Sequence, residues 1–209
     1  MQKDGYGVIE DFKAFVVREK KNDVFSRGIE TKKFEELPNH AVTIKVKYSS
    51  LNYKDALSSL GNKGVTKIYP HTPGIDASGI VISSRNKKFH EGDQVVVTGY
   101  DLGMNTSGGF SECIRVPSDW VVKLPETISL KYAMAIGTAG LTAALCIDLL
   151  SKNSKIKKRH AVVTGSTGGV GSIAIQLLSK LGAEITAVTG KNESADFLSS
   201  LGANTILSR

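Results

Sequence analysis

Residues 161–208 read AVVTGSTGGVGSIAIQLLSKLGAEITAVTGKNESADFLSSLGANTILS. Three short runs rich in β-branched residues, AVVTG, EITAV and NTILS, alternate with two alanine- and leucine-bearing segments of helical length, Gly169 to Leu181 and Glu193 to Leu201. Strands separated by helices pair in parallel, because a parallel neighbour is reached only by crossing back over the sheet. The pattern predicts a βαβαβ unit, the first half of a Rossmann-type doubly wound parallel sheet. With the chain stopping at Arg209, the expectation is a third strand left as an edge and a crevice half built.

The loop between the first strand and its helix is Gly165-Ser166-Thr167-Gly168-Gly169-Val170-Gly171. Small residues here let the backbone approach a pyrophosphate, and a helix starting near Gly169 aims unsatisfied N–H groups and partial positive charge at it. Gly171 is placed to allow close helix-to-strand packing. A unit selective for NAD ends its second strand with an acid that bonds the ribose hydroxyls. Here that position reads Ala187-Val188-Thr189-Gly190-Lys191, with no acid. Thr189 offers a hydrogen bond and Lys191 a full charge to a ribose phosphate, so NADPH is the matching cofactor, the competing reading of Lys191 being a plain surface lysine. Glu193 and Asp196 lie farther on, in the next helix.

Upstream, Phe12 to Val17, Thr43 to Tyr48, Ala77 to Ile82, Gln94 to Thr98 and Glu112 to Val116 read as strands punctuated by glycine, proline and aspartate. They suit a partly closed β domain over 12–125, with one or two helical turns at Lys54 to Leu60. The remainder, 126–209, is read as the nucleotide-binding domain, entered through an alanine-rich helical stretch, Lys131 to Leu150. Gly137 and Gly140 are expected to bend that stretch or split it.

The formal charge of +7 makes nucleic acid a partner to test. Yet the densest basic run, Lys152 to Arg159, holds no aromatic residue for base stacking and reads as a solvated face. The surplus charge instead draws phosphorylated small molecules. No stretch has the roughly 18 to 20 uninterrupted apolar residues of a membrane span, and Met1 to Asp11 has no signal-peptide core, so a cytoplasmic location is expected. Cys113 and Cys146 lack metal or redox spacing and read as buried thiols; His40, His71, His90 and His160 are scattered singly.

The runs SSLNYKDAL (49–57), PGIDASG (73–79), GGFSE (108–112), IGTAGLTA (136–143) and VTGSTGGVGS (163–172) carry a family resemblance. In order and spacing they resemble the medium-chain dehydrogenase/reductase superfamily, and within it the zinc-independent acrylyl-CoA reductase and quinone oxidoreductase subfamily. The likeness runs from about Phe12 to Arg209. It implies a GroES-like substrate domain ahead of the Rossmann sheet, and longer relatives that often form homodimers through later strands of that sheet, a state left open for this chain. Zinc-dependent members ligate metal through Cys, His and Cys at positions matched here by Asn52, Ile75 and Thr138, which cannot form a tetrahedral nitrogen and sulfur site.

Without a Lewis acid the implied chemistry is hydride addition from NADPH to a conjugated double bond, in an acrylyl-CoA-like thioester or an enone, with the resulting oxyanion stabilised by hydrogen-bond donors. Quinone reduction is the alternative enzyme reading. A nucleotide-binding or interaction module without turnover is the alternative from another class. By resemblance, Asn52 and Tyr53 belong to the catalytic turn. Cofactor contacts fall to Tyr53, Thr167, Gly168, Gly169, Val170, Thr189, Gly190, Lys191 and Arg209. Asp55 is read as capping the short helix or orienting Lys54.

Overall fold

Alternate residues of β1 (Asp11–Glu19) are buried, Phe12, Ala14 and Val16 pointing inward, which is the period-two signature of a half-covered strand. The computed structural model describes residues 10–21, 24–153 and 155–209, so most of the N-terminal stretch read for a signal peptide lies outside the described residues. β1 pairs antiparallel with β2 (Phe25–Lys33). β2 escaped the sequence reading because its residues, FSRGIETKK, are mainly polar or charged and none is buried.

A five-stranded antiparallel sheet follows. It is built from β3 (Val42–Tyr48), β4 (Asp76–Ser84), β5 (Gln94–Thr98), β6 (Cys113–Val116) and β7 (Val121–Lys123), in the order β6-β3-β4-β5-β7. Its core is Val42, Ile44, Val81, Val95, Val97, Leu102, Ile114 and Val116, all with almost no exposed surface. Each such side chain contributes about 1.5 to 3 kcal/mol on burial. Phe12, Ala14 and Val16 join Leu37, Ile82 and Cys113 in a second cluster. Helix α1 (Tyr53–Ser59) lies between β3 and β4 in the chain.

Helix α2 (Leu130–Asn153) leaves helical geometry at Gly137, at φ 50° and ψ −162°, whereas Gly140 stays helical. The difference comes from neighbours: a Cβ on Gly137 would stand 2.8 Å from Ser50 Oγ and 2.9 Å from Asp76 Oδ2. By length and composition α2 is apolar enough to cross a membrane. The break leaves 138–153, which rises roughly 24 Å at about 1.5 Å per residue, short of a hydrocarbon core of about 30 Å.

The chain forms two compact units, Met1–Thr138 and Ala139–Arg209. In the second, β8 (His160–Thr164), β9 (Glu184–Thr189) and β10 (Thr205–Ser208) form a parallel sheet in the order β10-β9-β8. Helices α3 (Gly169–Lys180) and α4 (Ala195–Ser200) are the crossovers, and Ile147, Ile175, Leu178, Ile185, Ala187 and Leu198 are the core. This is the expected βαβαβ half-sheet, α4 starting two residues later than read because a 3-10 turn, Asn192–Ser194, precedes it.

The reading of both cysteines as buried thiols needs correction. Cys113 is buried, and loss of hydration pushes its thiol up to about 11. Cys146 is exposed, on the stretch of α2 that also exposes Leu141, Leu145 and Leu149.

His71 is buried, its backbone bonded both ways to Val17, and its Nε2 finds no hydrogen-bond partner among the described residues. Burial lowers its pKa, against a raising hydrogen bond with the Gly103 backbone. The unfolded chain, with an imidazole near 6.5, therefore takes up this proton first. Stability is full above that value and falls as pH drops below it, until the folded-state pKa is reached. Urea midpoints measured from pH 7.5 to 5.5 should decline in the wild type and decline less in His71→Gln; parallel curves would remove His71 as the cause.

Candidate functional site

In the first unit the site grows from the turn entering α1. Asn52 is extended (φ −125°, ψ 157°), and Asp55, three residues on, accepts from its backbone N–H at 2.8 Å. The other oxygen of Asp55 accepts from Ile75 N at 2.9 Å and Gly74 N at 3.2 Å, which ties the helix start to the segment leading into β4. Asp55 thus serves as the cap expected of it. Burial raises its pKa, while the Asn52 and Ile75 backbone donors oppose that rise.

Asn52 and Asp55 form a reciprocal capping box at the helix start, and the Asn52 side-chain amide donates to Asp76 Oδ2 at 2.9 Å. Asp76 is fully buried and also accepts from Thr138 N at 2.9 Å and Thr138 Oγ1 at 2.7 Å. Ser49 donates to the Asp76 carbonyl and Ser50 to that of Met134, both at 2.6 Å. A buried carboxylate is tolerable only with such donors. Of the three positions matched to zinc ligands, Asn52 and Thr138 meet on this carboxylate, and Ile75 is buried with its N–H spent on Asp55. Among the described residues no three His, Cys, Asp or Glu side chains cluster to hold a metal. Tyr53 stands out from the turn, 80% exposed.

In the second unit Gly165 takes φ +61° and turns the chain out of β8. Its carbonyl accepts from Gly168 N at 2.9 Å, and α3 starts at Gly169. Ser166 is buried with Oγ 2.7 Å from Val163 O and 3.1 Å from Val188 O, pinning the loop to both strands. Thr167 is half-buried, and Gly168, Gly169 and Val170 are exposed at the helix N-terminus. At the end of β9, Thr189 is 4% exposed; its Oγ1 accepts from Lys191 N and its carbonyl from Arg209 N, both at 3.0 Å. Lys191 and Arg209 are exposed. The register Thr164↔Val188 places the loop and the Thr189, Gly190, Lys191 and Arg209 group at the same, C-terminal, end of the sheet, where this architecture binds ligands.

Residues 38–126 match the alcohol dehydrogenase GroES-like domain. YhfP of Bacillus subtilis, provisionally named a quinone oxidoreductase, is 47% identical over 192 residues, covering 91% of this chain and 58% of YhfP. The acrylyl-CoA reductase AcuI of Ruegeria pomeroyi is 42% identical over 200 residues, covering 95% of this chain and 61% of AcuI. The crystal structure of the Salmonella enterica YhdH oxidoreductase in complex with NADP superposes with a TM-score of 0.90 at 43% identity, over 94% of this chain and 61% of YhdH. Over most of its length the chain is similar to oxidoreductases of the medium-chain dehydrogenase/reductase family. It spans about three fifths of the length of these family members.

The family's GroES-like domain and half Rossmann sheet are thus both present. What the residues alone did not single out is Asp76, quoted within PGIDASG but given no role. A signal was available: an acid inside a strand of apolar and small residues has to be bonded by something, and the partners were two positions already under scrutiny.

Proposed function

We propose that this chain carries the cofactor half-site and the substrate-side turn of an NADPH-dependent reductase. The reductase adds hydride to the conjugated double bond of an enoyl thioester or enone without a metal. The observation that carries this reading is the pair Lys191 and Arg209, both held by Thr189 beside the open N-terminus of α3. The residues suit the cofactor. Gly168, Gly169 and Val170 offer an exposed helix start to the pyrophosphate, and Thr167 flanks it. Gly190 leaves the backbone unobstructed, since a Cβ there would meet nothing within 4 Å. Lys191 supplies charge to a ribose phosphate, and Arg209 a guanidinium to the adenine or that phosphate.

When bound, NADPH supplies the hydride. Tyr53 is exposed at the turn and is assigned to contact the cofactor and the substrate oxygen. Asn52, locked on Asp76, fixes the turn that presents it. Hydrogen-bond donation would stabilise the enolate oxygen that forms as hydride reaches the β-carbon, and a proton from solvent or a side chain would complete the saturated product. In this proposal the partners are small molecules rather than nucleic acid or membrane, and the location is cytoplasmic.

Relatives named as quinone oxidoreductases support a second reading, quinone reduction from the same half-site. NADPH oxidation is to be followed with acrylyl-CoA, a small enone and a benzoquinone, with product analysis, beside a direct NADPH binding titration. The saturated thioester or ketone is the expected product. Hydroquinone alone would favour the second reading, and binding without turnover on any of the three would make the chain a nucleotide-binding module.

A further inference from the structure

Outside the site described above, the first unit contains a cationic pocket on one face of the five-stranded sheet. In the register of β4, β3 and β6, Ser83, Thr43 and Arg115 are direct cross-strand neighbours, and Arg85 follows Ser83 by two residues on the same face. Together with Asn39 and His40 they line a cavity of about 290 Å³. It sits at the start of β3, roughly 17 Å along the strand from Tyr48 and the Asn52 turn.

Both guanidiniums are fixed by neutral acceptors. Arg85 donates to Asn39 Oδ1 and to the His40 carbonyl, each at 2.9 Å. Arg115 donates from Nε to Thr43 Oγ1 at 3.0 Å and from Nη1 to the Leu37 carbonyl at 3.4 Å, and stacks over the Phe34 ring. Neither forms an ion pair with a carboxylate among the described residues, so both charges are left to neutral partners. Burial lowers the pKa of Arg115, and the nearby Arg85 lowers it further, against smaller opposing effects of Cys113 and Glu35. Two like charges are therefore held close, pre-oriented, and beside two hydroxyls. A guanidinium has five donors, so each keeps hydrogens beyond the bonds that fix it.

We propose that this pocket binds a small oxyanion of the phosphate class, free phosphate or the terminal phosphate of a metabolite, held between Arg85 and Arg115 with Thr43 and Ser83. Planar donor forks match tetrahedral oxyanions, and the anion would relieve the repulsion between the two arginines. The pocket is separate from the nucleotide loop and needs nothing from it.

The test is a calorimetric titration of inorganic phosphate into the full chain at constant ionic strength, with chloride as the reference anion. Saturable phosphate binding is expected, at least tenfold weaker in Arg85→Gln. Arg85 is exposed, so that variant keeps its fold, and its NADPH affinity should match the wild type. Arg115→Gln should lose phosphate as well, provided its circular dichroism is unchanged. Lys191→Ala should retain phosphate binding. Wild-type phosphate affinity in Arg85→Gln, loss in Lys191→Ala instead, or no preference over chloride would each overturn the proposal. Titration with a phosphate monoester such as glycerol phosphate then separates the two sources: a clear gain over inorganic phosphate assigns a metabolite, and equal affinity assigns free phosphate.

Discussion

Replacing Lys191 with alanine is expected to weaken NADPH binding by roughly tenfold to a hundredfold while leaving NADH binding nearly unchanged. The estimate is the loss of one charge-assisted hydrogen bond to phosphate, about 1.5 to 3 kcal/mol, at about 1.4 kcal/mol per decade of affinity. The side chain is exposed, and the residue is held through its backbone N–H on Thr189 Oγ1, so truncation removes charge without disturbing the strand end. Arg209, anchored to the carbonyl of the same threonine, remains and keeps the loss from being larger. Fluorescence titrations with both cofactors measure the effect. Equal losses for NADPH and NADH would assign Lys191 to the fold rather than to the ribose phosphate.

Gly171→Ala is expected to be more disruptive still, although it adds one methyl group. Its Cβ would stand 2.4 Å from the Gly165 carbonyl oxygen and 2.9 Å from Ser166 Cα, and both are backbone atoms that cannot rotate aside. Helix α3 has to lift away from the loop it terminates. Overpacking of this kind costs about 1 to 3 kcal/mol, and here it also displaces the Gly168 to Val170 segment proposed to hold the pyrophosphate. Gly190→Ala is the contrast: its Cβ has no neighbour within 4 Å, so stability should hold or rise slightly. Denaturant unfolding of the two variants, with an NADPH titration of each, checks both halves. A Gly171→Ala protein as stable as the wild type and with normal NADPH affinity would end the argument.

The half-sheet was legible because its strands and helices differ in period and because Gly165 to Gly171 sits between them. The joining of Arg209 to Thr189 was not, since it follows from the parallel register of β10 on β9, in which Ser208 opposes Thr189. In β2 the polar residues that face outward outnumber the apolar ones, so periodicity had nothing to detect. Gly137 and Gly140 look alike in the chain, and only Ser50 and Asp76, more than sixty residues upstream, decide that the first one breaks α2. Cys146 was misjudged on residue type alone, where its position on an exposed stretch of helix decides. At the candidate site, Asn52 and Thr138 were found as replaced metal ligands, but that they converge on one buried acid is a property of the fold.

That convergence bears on protein engineering. Writing Cys, His and Cys back into positions 52, 75 and 138 would delete two of the three donors that the described residues give the Asp76 carboxylate, keeping from among them the Thr138 backbone N–H, which any residue there supplies. The acid, fully buried, would then be short of partners whenever zinc was absent. A grafted metal centre in this scaffold would accordingly be coupled to folding, its apo form less stable than the parent, so that zinc affinity and thermal stability would rise or fall together across a design series.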